Sequence, residues 1–237
     1  MRLEKLPIKL FADGADKAEM LALYQNPLIK GFTTNPSLMR KAGIFDYGSF
    51  CLEVLQAIPD RPISFEVFSD DLQEMKCQAL KISQWAENVY VKIPISNIYA
   101  ESTFGLIEEL SNRGVKQNIT AITTLEQVLA VSDALGKKTS AFISVFAGRI
   151  ADTGIDPVPL MGNAVEMIKD RGNQKLIWAS TREVLNIFQA AAIACPIITV
   201  TSDILKKISW IGKDLNEVSL STVKMFSEDA IKSGFVL

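Results

Sequence analysis

The sequence predicts a (β/α)8 barrel, and three observations lead to it. Eight short β-branched runs alternate with longer amphipathic stretches along the whole chain. The runs are nearly continuous in apolar character, as expected of parallel strands covered by helices. An open doubly wound sheet is the alternative, but it usually carries a Gly-rich first βα turn, and neither GxGxxG nor a P-loop follows the first run here. No linker, low-complexity tract or repeat divides residues 1–237, so a single domain is expected.

The expected strands are Ile8 to Ala12, Ile29 to Thr34, Ile63 to Val67, Val89 to Ile93, Val115 to Thr120, Ala141 to Phe146, Leu176 to Ser180 and Ile197 to Thr201. Between them, helical patterning covers Asp16 to Tyr24, Tyr47 to Ala57, Asp70 to Trp85, Glu101 to Asn112, Thr124 to Leu135, Pro159 to Arg171 and Arg182 to Ile193. Asp70 and Thr124 suit N-caps, and Gly114, Gly136 and Gly172 follow helical segments where a left-handed C-cap is expected. Asp46-Tyr47-Gly48 and Thr153 to Pro159 carry loop residues, while Ser202 to Val236 supplies a short helix and a longer terminal one.

At 48% hydrophobic and 22% charged residues, the composition is that of a globule with a substantial core. Net charge is -2 without a long basic run, which argues against nucleic acid and acidic membrane surfaces as partners. The N-terminus lacks an apolar h-region, and the apolar stretch Ala190 to Val200 is short and broken by Pro196, so an unprocessed, cytoplasmic protein is expected. Cys51, Cys77 and Cys195 are widely spaced without a CxxC pair and read as reduced structural thiols. The absence of histidine removes the commonest general base and metal ligand. Proton transfer then falls to carboxylate, lysine, tyrosine or water, with no metal and no cofactor expected.

Strand parity locates the chemistry. If Val89, Val91 and Ile93 face the helices, Tyr90 and Lys92 must face the barrel interior, because side chains alternate across a strand. An isolated buried lysine ordinarily snorkels or pairs with a carboxylate. In dry surroundings, however, an amine loses proton affinity and can attack a carbonyl to form a Schiff base. The same parity puts a polar residue at or just past the inward C-terminal end of almost every strand: Asp13, Asn35, Glu66, Lys92, Asn118 with Thr120, Ser144, Ser180 and Thr201. That is the end where barrel enzymes work. Asp13 and Glu66 are the inward carboxylates available to shuttle protons for a lysine nucleophile, and they equally suit a purely structural pairing with it. The amides and hydroxyls suit a polyhydroxylated substrate. Arg149 and Arg182 follow adjacent strands, Arg182 at a helix start, and together point to a phosphate or other anion.

The stretches Phe11-Ala12-Asp13-Gly14-Ala15, Gly31-Phe32-Thr33-Thr34-Asn35-Pro36-Ser37, Val91-Lys92-Ile93-Pro94, Asn118-Ile119-Thr120, Ser144-Val145-Phe146-Ala147-Gly148-Arg149 and Ala179-Ser180-Thr181-Arg182 resemble, in order, the motifs of the transaldolase family. The resemblance implies a class I aldolase-type barrel that moves a dihydroxyacetone unit between sugar phosphates without a metal. It implies Lys92 as the Schiff-base lysine, Asp13 as the residue that takes and returns the proton of the cleaved hydroxyl, and Glu66 with Thr120 as the pair positioning a water. Thr34, Asn35, Asn118, Ser144, Phe146 and Ser180 fall on substrate-holding positions, and Arg149 and Arg182 on phosphate-binding ones.

A subset resembling fructose 6-phosphate aldolase releases the three-carbon unit, and typically has Gln where this chain has Glu66 and Tyr where it has Phe146. That difference favours the transferase. Thr181, Val145 and Gly14 depart from the family pattern beside the pocket, which leaves donor and acceptor preference open. Short members of both activities form ring-like homo-oligomers, pentamers or decamers, through the C-terminal helix. The stripe Val223, Phe226, Ala230 and Ile231 suits such a contact or a cap on its own barrel. A Schiff-base lyase and a non-catalytic sugar-phosphate-binding barrel are the competing readings.

Overall fold

A computed structural model describes residues 6–235. Eight parallel strands close in sequence order: β1 Lys9–Asp13, β2 Ile29–Thr33, β3 Ile63–Glu66, β4 Val89–Pro94, β5 Gln117–Ile122, β6 Ala141–Val145, β7 Gln174–Trp178 and β8 Ile197–Thr201. The register is parallel throughout, and Asp13 of β1 pairs with Thr33 of β2 and Thr201 of β8. This is the (β/α)8 barrel expected, with an added C-terminal helix.

The surrounding helices are α1 Lys17–Tyr24, α2 Pro36–Lys41, α3 Tyr47–Ala57, α4 Leu72–Ser83, α5 Phe104–Asn112, α6 Leu125–Ala134, α7 Ala147–Asp152, α8 Pro157–Ile168, α9 Leu185–Ala192, α10 Ser202–Lys207 and α11 Leu215–Ser233. A 3-10 turn at Ile208–Trp210 links the last two. Most of the apolar core lies between strands and helices, where Val89, Val91, Ile93, Phe65, Ile119 and Ile143 are buried. A second cluster, Phe11, Phe142, Ile177, Ala179 and Ile197 with Tyr90 and Phe146 against it, fills the barrel interior. Tyr90 stacks on Phe142 at 4.1 Å, which places Tyr90 on the inward face with Lys92, as parity requires. Gly31 is glycine for room: a Cβ there would come within 2.6 Å of the Phe11 ring.

Several boundaries differ from expectation, each for a local reason. Asp71, not Asp70, caps α4, accepting from the Glu74 amide, while the Asp70 carbonyl is taken by the Asn97 side chain. Thr124 caps α6 in a full capping box with Gln127. Gly114 and Gly136 are left-handed as expected, but Gly172 is not, because α8 ends at Ile168 and the chain leaves through successive turns. Tyr47 and Gly48 open α3 behind the cap Asp46, and Pro157 opens α8 behind Asp156, so both expected loops are shorter. Two short helices lie outside the expected helical stretches. α2 follows the Asn35-Pro36 start signal, and α7 packs Gly148 against the end of β7.

Helix α11 buries none of its described residues, and Leu215, Leu220, Val223, Phe226 and Ile231 are exposed. It therefore does not cap its own barrel. The expected last residue of this segment, Val236, lies outside the described residues. No helix among the described residues is long and apolar enough to cross a membrane. All three cysteines are free, as expected; Cys51 and Cys195 are buried, and Cys77 is exposed on α4. Burial pushes the Cys51 thiol up and the Cys195 thiol up to about 12.

Candidate active site

A cavity of about 460 Å³ opens at the C-terminal end of the barrel. Asp13, Asn35, Glu66, Lys92, Thr120, Ser144, Phe146, Arg149 and Ser180 all line it, although their strands are scattered along the chain. Parallel closure is what brings them together, since every strand delivers its C-terminal end to the same rim.

Lys92 is 6% exposed, deep in this cavity. Its Nζ donates to the Thr34 carbonyl at 2.9 Å and lies 3.1 Å from Glu66 Oε2. The Glu66–Lys92 register across β3 and β4 sets this pair directly. Tyr47 donates its hydroxyl to the Glu66 carbonyl at 2.6 Å and so steadies the end of β3. Desolvation pushes the Asp13 carboxyl above its ordinary value; Lys92 and the Thr33 hydrogen bond oppose the shift, and Glu66 adds to it. A carboxyl with that balance holds a transferred proton better than a solvated aspartate does.

Around these three groups the site is polar and ordered. Ser144 donates to Asn118 Oδ1 at 2.7 Å, and Asn118 donates to Ser64 Oγ at 2.9 Å. Asn118 itself is fully buried behind the lining, so it fixes Ser144 and Ser64 and does not line the cavity. Thr120 Oγ1 is one of three buried side-chain polar atoms without a partner among the described residues, and the only one of the three whose residue lines the cavity. An orphaned hydroxyl at that depth is a ready hydrogen-bonding group for a small polar guest. Asn35 caps α2, accepting from the Leu38 amide at 3.0 Å, and keeps its amide nitrogen available to the cavity. Ser180, two residues past β7, takes a left-handed conformation (φ 62°) and lines the cavity.

Other expected residues sit elsewhere. Thr34 is fully buried, and its hydroxyl donates to the Ser64 carbonyl, leaving its own carbonyl for Lys92. Arg149 lines the cavity, but Arg182 does not: its Nε and Nη2 grip the Asp152 carboxylate at 2.9 and 2.5 Å. Thr201 lines a neighbouring cavity of about 340 Å³ that shares Asp13 and Leu38 with the first. Two residues missed in the sequence, Thr33 and Thr199, stand inside the site. Each lies two positions before a residue singled out by parity, Asn35 and Thr201, so the same alternation pointed to them.

The fold and this cavity define a class: parallel α/β barrels with a buried lysine–carboxylate pair at the strand ends. The family model described as Transaldolase/Fructose-6-phosphate aldolase matches residues 10–235, and the chain belongs to that family. Among similar proteins is a "Probable transaldolase" of Dehalococcoides mccartyi, 34% identical over 202 residues, covering 85% of this chain and 90% of its own. A "Probable transaldolase" of Methanococcus maripaludis is 31% identical over 85% of this chain and 89% of its own. One from Streptococcus equi subsp. zooepidemicus is 30% identical over 94% of this chain and 97% of its own.

Proposed function

We propose that this protein is a transaldolase. It moves a dihydroxyacetone unit from a ketose phosphate (sedoheptulose 7-phosphate or fructose 6-phosphate) to an aldose phosphate (glyceraldehyde 3-phosphate or erythrose 4-phosphate). The observation that carries this reading is Lys92, buried in the cavity with Glu66 at 3.1 Å and with Asp13 in the same wall.

In this reading the Lys92 amine attacks the ketose carbonyl, and the resulting carbinolamine loses water to give an iminium. Glu66 and Thr120 hold that water and relay its protons. Asp13 then takes the proton of the hydroxyl next to the breaking C–C bond, whose electron pair flows into the iminium to form an enamine, and the aldose leaves. The acceptor aldehyde enters, the enamine carbon attacks it, Asp13 returns its proton, and hydrolysis frees Lys92. Phe146 on the cavity wall withholds a hydroxyl from the enamine, which favours transfer over release of free dihydroxyacetone. Arg149 receives the substrate phosphate. Arg182 joins it through the two N–H groups that Asp152 and the Ser180 carbonyl leave unused, since a guanidinium has five donors and three are taken. The chain works as one catalytic barrel and assembles into homo-oligomers through α11.

A sodium borohydride quench with fructose 6-phosphate, with and without erythrose 4-phosphate, followed by intact mass and peptide mapping, tests this. The expected result is a dihydroxyacetone-derived adduct on Lys92 that declines with acceptor present, with sedoheptulose 7-phosphate formed. Lys92→Met should give neither adduct nor turnover. An adduct elsewhere, or turnover in that variant, would overturn the assignment.

A further inference from the structure

Thr33 and Thr199 face each other inside the barrel, both buried, both lining the cavity beside Asp13. Thr33 Oγ1 donates to Asp13 Oδ1 at 2.7 Å and lies 2.6 Å from Thr199 Oγ1. A hydroxyl carries one hydrogen. Thr33 spends it on the carboxylate, so the contact with Thr199 can only run from Thr199 to Thr33 while Asp13 is ionised. The direction of the whole chain, Thr199 to Thr33 to Asp13, is therefore fixed by counting protons. Donors in series polarise one another, so the second hydroxyl strengthens the first one's bond to the carboxylate. Thr199 is itself anchored, because its carbonyl accepts from the buried Thr181 hydroxyl at 2.7 Å.

We propose that Thr199 is a positioning residue for proton transfer at Asp13: acting through Thr33, it holds the carboxylate ionised and oriented to take the substrate's proton. This rests on the transaldolase reading of Asp13. When the substrate O–H bond breaks and the proton forms a bond to the Asp13 carboxylate, the C–C electron pair moves into the iminium and the net charge of the site is conserved. The protonated carboxyl then donates to Thr33, Thr33 turns its hydrogen to Thr199, and the hydrogen of Thr199 is freed toward the cavity. The chain thus has two senses, one for each protonation state of Asp13.

The charged groups around Asp13 come from several elements. Lys92, Glu66 and Arg149 share its cavity, and Asp16, Glu19, Lys41, Asp203 and Lys206 line the adjoining one. None of them changes in Thr199→Val, which is close in shape and lacks only the hydroxyl. The test is the pH dependence of kcat/KM for donor cleavage in wild type, Thr199→Val and Thr199→Ser, with borohydride trapping to show that Lys92 still reacts. Loss of one buried hydroxyl should move the acid limb of the Thr199→Val profile upward by some tenths to about one pH unit and slow turnover by roughly two- to tenfold. Thr199→Ser should return to the wild-type profile. A Thr199→Val profile that superimposes on wild type, however much less stable or slower the variant is, would overturn the proposal. Asp13→Asn serves as the separate control: if it keeps wild-type turnover, the reading of Asp13 fails, whatever Thr199 does.

Discussion

Asp13 is held between opposing influences, and its stability signature follows from the balance. Burial raises its pKa above the ordinary 3.8, so between that value and the raised one the folded chain keeps a proton that the unfolded chain has released. Stability then falls as pH rises through this window, and the penalty is complete above it. Asp13→Asn removes the charge while retaining an oxygen for Thr33 to bond. The expected outcome is a variant that melts above wild type at pH 7, by a margin that shrinks as pH is lowered toward 3.8. Calorimetric Tm values across that range check it, and a margin independent of pH would count against desolvation as the cause.

At the scale of elements, α7 is the piece on which the proposed anion-binding residues depend. It begins directly after β6, carries Arg149, and ends at Asp152, the partner of Arg182. Its close approach to β7 needs Gly148, where a Cβ would lie 1.6 Å from the Ser180 carbonyl oxygen. Backbone cannot yield as a flexible side-chain tip does. Gly148→Ala should therefore push α7 off β7, destabilise the fold by on the order of 1–3 kcal/mol or more, and raise KM for phosphorylated substrates. Urea unfolding and steady-state kinetics read the two effects. Gly14→Ser is the contrast: nothing lies within 4 Å of a Cβ there and its backbone is not left-handed, so stability should change little.

For the whole molecule, α11 is an amphipathic helix with no cover among the described residues of the single chain. Phe226 is 63% exposed and Ile231 77%. A stripe of this kind on an isolated helix fits burial against another copy. Sedimentation velocity should give a mass several times the 26.1 kDa of one chain, and Phe226→Glu should shift it toward one chain. A wild-type species at 26.1 kDa would sink the oligomer proposal.

The alternation of apolar runs and amphipathic stretches was enough to determine the barrel, because a strand buried on both faces and a half-buried helix leave different periodicities in the chain. Parity on β3 and β4 determined that Glu66 and Lys92 share a face, since alternation is a local property of extended backbone. What each inward residue does with its hydrogen bonds was decided only by closure. Asn118 and Thr34 carry the right parity or motif, yet packing places Asn118 behind Ser144 and turns the Thr34 hydroxyl to a strand carbonyl. Thr33 and Thr199, separated by 166 positions, meet only because β8 returns beside β1 and β2 lies on its other side. Arg182 reads as a free cation in sequence and is an ion pair in space, because the carboxylate that meets it comes from another element. Local alternation fixes which way a side chain points; only the folded barrel fixes what it meets there.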